Sequence, residues 1–122
     1  MLKVLLVDDE PFITQGLLKL IDWAKEGYEV VNTASNGQEA YEYIKNNHVD
    51  IVVTDIKMPV MNGIDFLKKI REEGYNDIEV VILSGYKDFE YAMEGMKYGC
   101  AGYVLKPVEK CAIELWLCLM EK

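Results

Sequence analysis

The stretch that decides the fold is Leu2–Val7, LKVLLV, which runs directly into the acidic triplet Asp8–Glu10. A second, largely apolar run, Val49–Thr54, ends in the same way at Asp55. Short apolar runs bounded by turn residues are typical of strands buried inside a parallel sheet. Ligands of such sheets bind just outside the carboxyl ends of the strands. The sequence therefore predicts carboxylates at the binding edge of a parallel sheet.

Strand and helix patterns alternate along the whole chain. We expect strands at about Leu2–Val7, Glu29–Ala34, Asp50–Thr54, Glu79–Leu83 and Gly102–Leu105, and helices at about Pro11–Ile21, Gln38–Asn47, Gly63–Gly74, Phe89–Tyr98 and Val108–Met120. Five such units predict an α/β fold, a doubly wound parallel sheet with helices on both faces. The usual five-strand order is 2-1-3-4-5, in which strands one and three are neighbours. Asp8, Asp9 and Asp55 then converge.

Length and composition narrow the class of protein. The 122 residues predict a single domain, residues 1–122, and no apolar stretch is long enough for a membrane span. The net charge of −8 disfavours direct contact between this domain and nucleic acid. Three cysteines, Cys100, Cys111 and Cys118, lack metal-ligand spacing and are expected to be free thiols in a reducing cytoplasm.

The acidic cluster has a specific chemistry. Three carboxylates in one crevice raise one another's pKa unless a cation joins them, and oxygen-only ligands favour Mg²⁺. A carboxylate beside Mg²⁺, such as Asp55, is also a nucleophile toward phosphorus. Lys106, after the fifth strand, supplies positive charge to a phosphoryl group, and Ser84, ending the fourth strand, supplies a hydroxyl.

A purely structural interpretation competes with this one. Acidic residues at strand ends often cap helices or face solvent, and for Asp8 and Asp9 alone capping is the better interpretation. Three further residues, Asp55, Ser84 and Lys106, each follow or end a different predicted strand. That coincidence at one sheet edge favours a binding site.

Four short motifs together resemble the receiver domains of two-component response regulators. They are VDDE at Val7–Glu10, DIKMPVMNG at Asp55–Gly63, LSG at Leu83–Gly85 and LKP at Leu105–Pro107. The resemblance covers essentially the whole chain and implies the flavodoxin-like sheet of that family. Further local sequences resemble the subgroup joined to arabinose-regulator-type helix-turn-helix output domains: Ile21–Trp23, Ala34–Gly37 and Ser84–Tyr91.

The resemblance also implies roles for individual residues. Asp55 resembles the phosphoacceptor, Asp9 a direct Mg²⁺ ligand, and Asp8 a ligand acting largely through water. The backbone carbonyl of Lys57 is implied as a further ligand. Lys106 resembles the lysine that pairs with the phosphoryl group.

Other residues resemble the parts that transmit the signal. Ser84 and Tyr103 resemble the switch pair, in which the hydroxyl turns toward the phosphoryl group and the aromatic ring follows it inward. Lys57 and Tyr86 occupy positions that border the phosphoryl group, although both are equally well explained as solvated loop residues. The family resemblance implies a cis peptide bond at Lys106–Pro107.

The function expected from the resemblance is a phosphorylation-dependent signalling switch. A partner histidine kinase donates the phosphoryl group, and the only catalysis is the chain's own phosphorylation and dephosphorylation. The face formed by the fourth helix, fifth strand and fifth helix relays the change and is a candidate surface for a homodimer. We expect DNA contact only through an output domain outside this chain, and no membrane contact.

Two alternatives belong to other functional classes. A hydrolase of the related phosphatase class also forms an aspartyl phosphate, but such enzymes usually carry a second Asp where this chain has Lys57. A receiver-like binding module without phosphorylation normally loses an acidic ligand or the lysine, and neither is lost here.

The apolar residues of the first and last helices predict which side of each helix faces the core. The apolar side of the first helix is expected to face inward through Phe12, Leu17, Leu18 and Ile21. In the last helix, Cys111–Met120 is apolar at every position except Glu114, which exceeds what one core-facing stripe requires. We expect the surplus, including Trp116 or Leu117, to face a partner. The alternative is a wide face that the domain covers itself.

Overall fold

The computed structural model describes residues 1–85, 89–106 and 108–120, in which five strands alternate with five helices. The strands are β1 (Leu2–Val7), β2 (Tyr28–Ala34), β3 (Ile51–Asp55), β4 (Glu79–Ser84) and β5 (Gly102–Leu105). The helices are α1 (Pro11–Leu20), α2 (Gly37–Asn46), α3 (Gly63–Glu72), α4 (Phe89–Lys97) and α5 (Lys110–Met120). These bounds lie within two residues of the predicted ones.

All five strands pair in parallel, in the order β2-β1-β3-β4-β5. The predicted order is therefore confirmed. The register aligns Val7 at the end of β1 with Thr54 near the end of β3. The residues that follow β1 consequently lie beside the last residue of β3.

The sheet has a separate apolar core on each face. Alternate residues of a strand point to opposite faces, so Leu5 of β1 packs with α2 and α3 while Leu6 packs with α1 and α5. Both side chains are fully buried. A parallel sheet covered by helices on both faces needs such continuous apolar strands, and the run LKVLLV supplies one.

The inward face of α1 differs from the prediction. Leu17 and Ile21 are buried as expected, but Phe12 is 67% exposed and Leu18 is 41% exposed. The buried stripe of the helix instead begins at Thr14, whose spacing of three to Leu17 and seven to Ile21 follows one helical face. Phe12 and Leu18 lie outside that stripe.

The surplus apolar residues of α5 are also different from those predicted. Leu117 is 1% exposed, and its carbonyl accepts a hydrogen bond from the Tyr28 hydroxyl, so its assignment to a partner surface is wrong. Trp116 is half-buried and lies against Gly102, where an added Cβ would be 2.6 Å from the indole ring. The outward residues are Leu115, 60% exposed, and Leu119, 47% exposed.

The structure also bears on the predictions about the cysteines and about membrane spans. Cys100, Cys111 and Cys118 form no disulfide and are free thiols, as predicted. Across the described ranges, each helix is too short or too polar to cross a membrane.

Candidate functional site

Three carboxylates meet at the carboxyl ends of β1 and β3. Carboxylate oxygens of Asp8, Asp9 and Asp55 all lie within 4.8 Å of one another. Asp8 and Asp55 are buried, whereas Asp9 is exposed. The parallel pairing of β1 with β3 causes this convergence, because it brings the ends of both strands to one edge.

Lys106 reaches the same cluster from the end of β5. Its Nζ lies 3.1 Å from Asp55 Oδ2 and 3.4 Å from Asp8 Oδ2. The Lys106 backbone N–H donates to the carbonyl of Ser84, at 2.8 Å, which ties the residue to the end of β4. Partial burial lowers the pKa of Lys106, but the two carboxylates raise it by more, so the ammonium is retained.

Burial disfavours the ionised forms of two carboxyl groups in the cluster. Burial raises the pKa of Asp8, although the Glu10 backbone N–H donates to its Oδ1 at 3.0 Å. Burial likewise raises the pKa of Asp55, against the opposing effects of Lys106 and of the Ile56 N–H, which donates to Oδ1 at 2.8 Å. The single positive charge of Lys106 therefore does not balance the negative charge of the three carboxylates when they are ionised.

This donor set fits a hard divalent cation. Apart from Lys106 Nζ, the side-chain atoms described as converging here are carboxylate oxygens, which are the ligands that Mg²⁺ prefers. A cation at this point would also favour the ionised forms of the two buried carboxyls, whose pKa burial raises.

Ser84 and Tyr103 lie on the same face of the sheet. Ser84 ends β4, is 1% exposed, and its hydroxyl donates to the Gly85 carbonyl at 2.9 Å. Tyr103 pairs in register with Ile82, two residues before Ser84 on the strand, and packs against the same core as Ile82. Both predicted switch residues therefore point to the side of the sheet that carries α3 and α4.

Other predicted site positions lie on loops. Lys57 is exposed in the loop that follows β3. Tyr86 lies outside the described residues, as does Pro107 and with it the expected cis bond to Lys106.

Gly63 shapes the loop between β3 and α3. A Cβ at this position would lie 2.1 Å from the Asp55 carbonyl oxygen, so only glycine allows α3 to begin directly against the end of β3. The Gly63 N–H donates to the Ile56 carbonyl at 2.8 Å and closes the loop. The sequence predicts a helix beginning at Gly63, and the dipeptide Asn62-Gly63 marks a turn into it, but no local signal indicates the close approach to Asp55.

Val60, at the tip of this loop, has a strained backbone. Its φ is +70°, where β-branched residues are rarely found, and its side chain is 84% exposed. The Met61 N–H donates to the Pro59 carbonyl at 2.9 Å, which closes a tight three-residue turn around Val60. No sequence signal identified this position.

A family model for the response regulator receiver domain matches residues 4–115. This chain belongs to that family. Receiver domains are signalling domains of two-component systems that interact with histidine kinases and bind Mg²⁺ at an acidic pocket. The predicted resemblance and fold are therefore confirmed. The described residues of this receiver domain include a cluster of three aspartates at the carboxyl ends of β1 and β3.

The relatives of this receiver domain include transcriptional regulators. It is 44% identical over 107 residues to the uncharacterized transcriptional regulatory protein YesN of Bacillus subtilis, covering 88% of this chain and 29% of YesN. It is 39% identical over 117 residues to the transcriptional regulatory protein HptR of Staphylococcus aureus, covering 96% of this chain and 45% of HptR. The chain thus spans less than half the length of these relatives.

Solved structures share the fold over more than nine-tenths of their length. The receiver domain of the response regulator AraT from Geobacillus stearothermophilus superposes with a TM-score of 0.90 at 33% identity, covering 98% of this chain and 92% of that one. A two-component transcriptional regulator AraC from Clostridium phytofermentans gives a TM-score of 0.89 at 30% identity, covering 99% and 93%.

Proposed function

We propose that Asp55 is the phosphoacceptor of this receiver domain, and that a sensor histidine kinase supplies the phosphoryl group. The observation that carries the proposal is the position of Asp55, with Lys106 Nζ at 3.1 Å and carboxylates of Asp8 and Asp9 within 4.8 Å. Asp55 ends β3 at the carboxyl ends of the strands, where ligands of parallel sheets bind.

Phosphoryl transfer at this site requires little covalent chemistry from the protein. An oxygen of Asp55 forms a bond to phosphorus while the bond from phosphorus to the donor's imidazole nitrogen breaks, and that electron pair stays on the nitrogen. Lys106 offsets the charge that the phosphoryl oxygens bring into the crevice. In this proposal the chain catalyses its own phosphorylation and, with water as acceptor, its own dephosphorylation.

We assign the metal ligands to the residues of the acidic cluster. Asp9 and Asp55 would bind Mg²⁺ directly, and Asp8 would bind it largely through water. The backbone carbonyl of Lys57 would be a further ligand. When bound, Mg²⁺ neutralises the carboxylates and draws electron density from phosphoryl oxygens. The undercompensated charge of the buried carboxyls supports this assignment.

Ser84 and Tyr103 are the proposed switch residues. A phosphoryl group on Asp55 would attract the Ser84 hydroxyl away from the Gly85 carbonyl and leave room for Tyr103 to turn inward. Tyr103 also lines an open groove of about 550 Å³ with Leu105, Leu115 and Trp116. A change in Tyr103 would therefore alter the α4-β5-α5 face, which we propose as the relay surface and as the surface of a homodimer.

The remaining assignments rest on the relatives. We propose that residues 1–122 form one receiver domain of a cytoplasmic transcriptional regulator. DNA contact would then belong to an output domain of the full-length protein, since the net charge of −8 disfavours it here. The names and greater length of YesN and HptR support this proposal.

Intact-mass measurement tests the phosphoacceptor directly. The chain is incubated with acetyl phosphate and Mg²⁺, and we expect one phosphoryl adduct that disappears in Asp55→Asn. Asp77→Asn is the matched control, because Asp77 is exposed and precedes β4 at the opposite edge of the sheet. An adduct that persists in Asp55→Asn at the parent level would refute the assignment.

Mg²⁺ binding is tested separately by amide chemical shifts during titration. We expect Asp9→Asn to bind Mg²⁺ at least about tenfold more weakly than the parent, because a direct carboxylate ligand is lost. Equal affinity in the two proteins would refute the ligand assignment without affecting the identity of the phosphoacceptor.

A further inference from the structure

We propose that Arg71 and Lys68 of α3 form a clasp that fixes the C-terminal end of α4, so that α4 responds to phosphorylation by pivoting about this end. Arg71 is the single arginine in the sequence. Its guanidinium donates to three backbone carbonyls: Nε to Tyr98 at 3.0 Å, Nη1 to Tyr75 at 2.7 Å and Nη2 to Gly99 at 3.0 Å.

Those carbonyls belong to the ends of two different helices. Helix α4 ends with the Cys100 N–H donating to the Gly95 carbonyl and the Gly99 N–H donating to the Met96 carbonyl, with Gly99 at φ +78°. This is the Schellman arrangement of a helix end.

Helix α3 ends in a closely similar way. The Tyr75 N–H donates to the Ile70 carbonyl, and Gly74 has φ +91°. Arg71 therefore lies between two helix C-termini and places its positive charge beside the negative ends of both helix dipoles. A planar guanidinium offers donors in several fixed directions, which a single ammonium does not.

Lys68 adds a second link one turn earlier on α3. Its Nζ lies 2.5 Å from Glu94 Oε1 and 5.4 Å from the centre of the Tyr98 ring. The ion pair is partly exposed, with 31% and 37% of the two side chains accessible, so its role is to orient rather than to supply much stability.

Close packing fixes the same end of the helix. A Cβ on Gly95 would lie 2.7 Å from Ile82 Cδ1 and 3.2 Å from Ile64 Cδ1, so α4 approaches β4 and α3 closely at this glycine. Among the described residues, the clasp contacts on α4 and the turn after it fall at Glu94, Tyr98 and Gly99. Outward apolar side chains occur in both halves of α4, with Tyr91 and Met93 in the first and Met96 in the second.

The consequence for signalling rests on the proposed phosphorylation of Asp55. Ser84 precedes α4 in the chain, so a change there reaches the N-terminal half of the helix first. With the C-terminal end fixed to α3, the helix tilts about Gly95–Gly99 rather than shifting as a whole.

Hydrogen exchange tests the clasp independently of phosphorylation. We expect amides of residues 98–100 to exchange about tenfold faster in Arg71→Met than in the parent, since hydrogen bonds from a charged donor are lost. Arg71→Lys should restore little of this protection, because one ammonium cannot reach all three carbonyls to which the planar guanidinium donates. Lys69→Met is the matched control: Lys69 is the next residue on α3 but contacts Glu73 and the Tyr41 ring, away from α4.

Beryllofluoride with Mg²⁺, as a stable mimic of the phosphoryl group, tests the pivot. In the parent we expect chemical-shift changes at residues 90–93 and in β5 at least threefold larger than at residues 95–100. In the double variant Lys68→Met, Arg71→Met, the changes should extend through residues 95–100. Urea unfolding verifies that each variant is folded. If the double variant is unfolded, the same shift comparison is made with Arg71→Lys.

Two results would overturn the clasp. One is unchanged exchange at residues 98–100 in folded Arg71→Met, and the other is parent shift changes at residues 95–100 as large as those at 90–93. If beryllofluoride changes no resonance of the parent, the phosphorylation proposal fails instead. The exchange comparison then still decides whether Arg71 anchors α4.

Discussion

Replacing Val60 by glycine should stabilise this receiver domain. Val60 is held at φ +70° by the turn in which the Met61 N–H donates to the Pro59 carbonyl. Its side chain is 84% exposed, so the substitution removes almost no buried apolar surface. Relief of backbone strain is therefore the main effect on the folded state.

The expected magnitude follows from two opposing terms. A residue held in a sparsely populated backbone region costs about 1–3 kcal/mol. Glycine has greater freedom in the unfolded chain, which offsets about 0.5–1 kcal/mol of the gain. The free energy of unfolding should rise by about 1 kcal/mol, which corresponds to a rise in Tm of about 4 °C for a domain of this size.

Urea unfolding followed by circular dichroism measures the change, with an expected midpoint shift of roughly 0.5 M at unchanged slope. The reciprocal control is Gly74→Ala, because Gly74 has φ +91° and an added Cβ meets no atom within 4 Å. That substitution should cost about 1 kcal/mol through the backbone alone. A Val60→Gly protein no more stable than the parent, alongside a destabilised Gly74→Ala, would refute the reasoning.

Three further predictions concern the site and the relay face. Burial raises the pKa of Asp8 and Asp55 above 3.8, so the folded state binds more protons than the unfolded state. The stability of the metal-free domain should therefore decline as pH rises above that value, and the decline should be less steep in Asp8→Asn. Urea unfolding in the presence of a chelator, repeated across this pH range, measures the trend. Gly63→Ala should lose about 3 kcal/mol or more, because its Cβ would lie 2.1 Å from the Asp55 carbonyl oxygen, and a loss below about 0.5 kcal/mol would contradict that geometry. Beryllofluoride should raise the sedimentation coefficient of the parent but not of Leu115→Glu, whereas a monomer in both states would reject the homodimer.

The strands and the acidic edge were readable from the sequence because their signals are local. A buried parallel strand must be apolar on both faces, so LKVLLV is recognisable without knowledge of its neighbours. The crossover rules then leave few arrangements, and the common order already places Asp8 beside Asp55.

Helix faces were predicted less well, because several stripes of α1 and α5 are apolar enough to be buried. The pattern predicts Phe12 in the core, but it is exposed; it offers Trp116 or Leu117 for the outward surface, but Leu117 is buried. The choice depends on how each helix is rotated against the sheet. Contacts such as the Tyr28 hydroxyl with the Leu117 carbonyl join residues 89 positions apart and have no local signature.

The sequence by itself thus determined the parallel sheet, its order and the residues offered at its binding edge, since apolar period and turn chemistry are properties of short segments. Tertiary structure alone decided the 3.1 Å approach of Lys106 to Asp55, the strained turn at Val60 and the bonds from Arg71 to two helix ends. Each of these depends on where separate segments come to rest against one another. An arginine in a helix or a valine after a proline has the same local appearance whether or not such a neighbour is present.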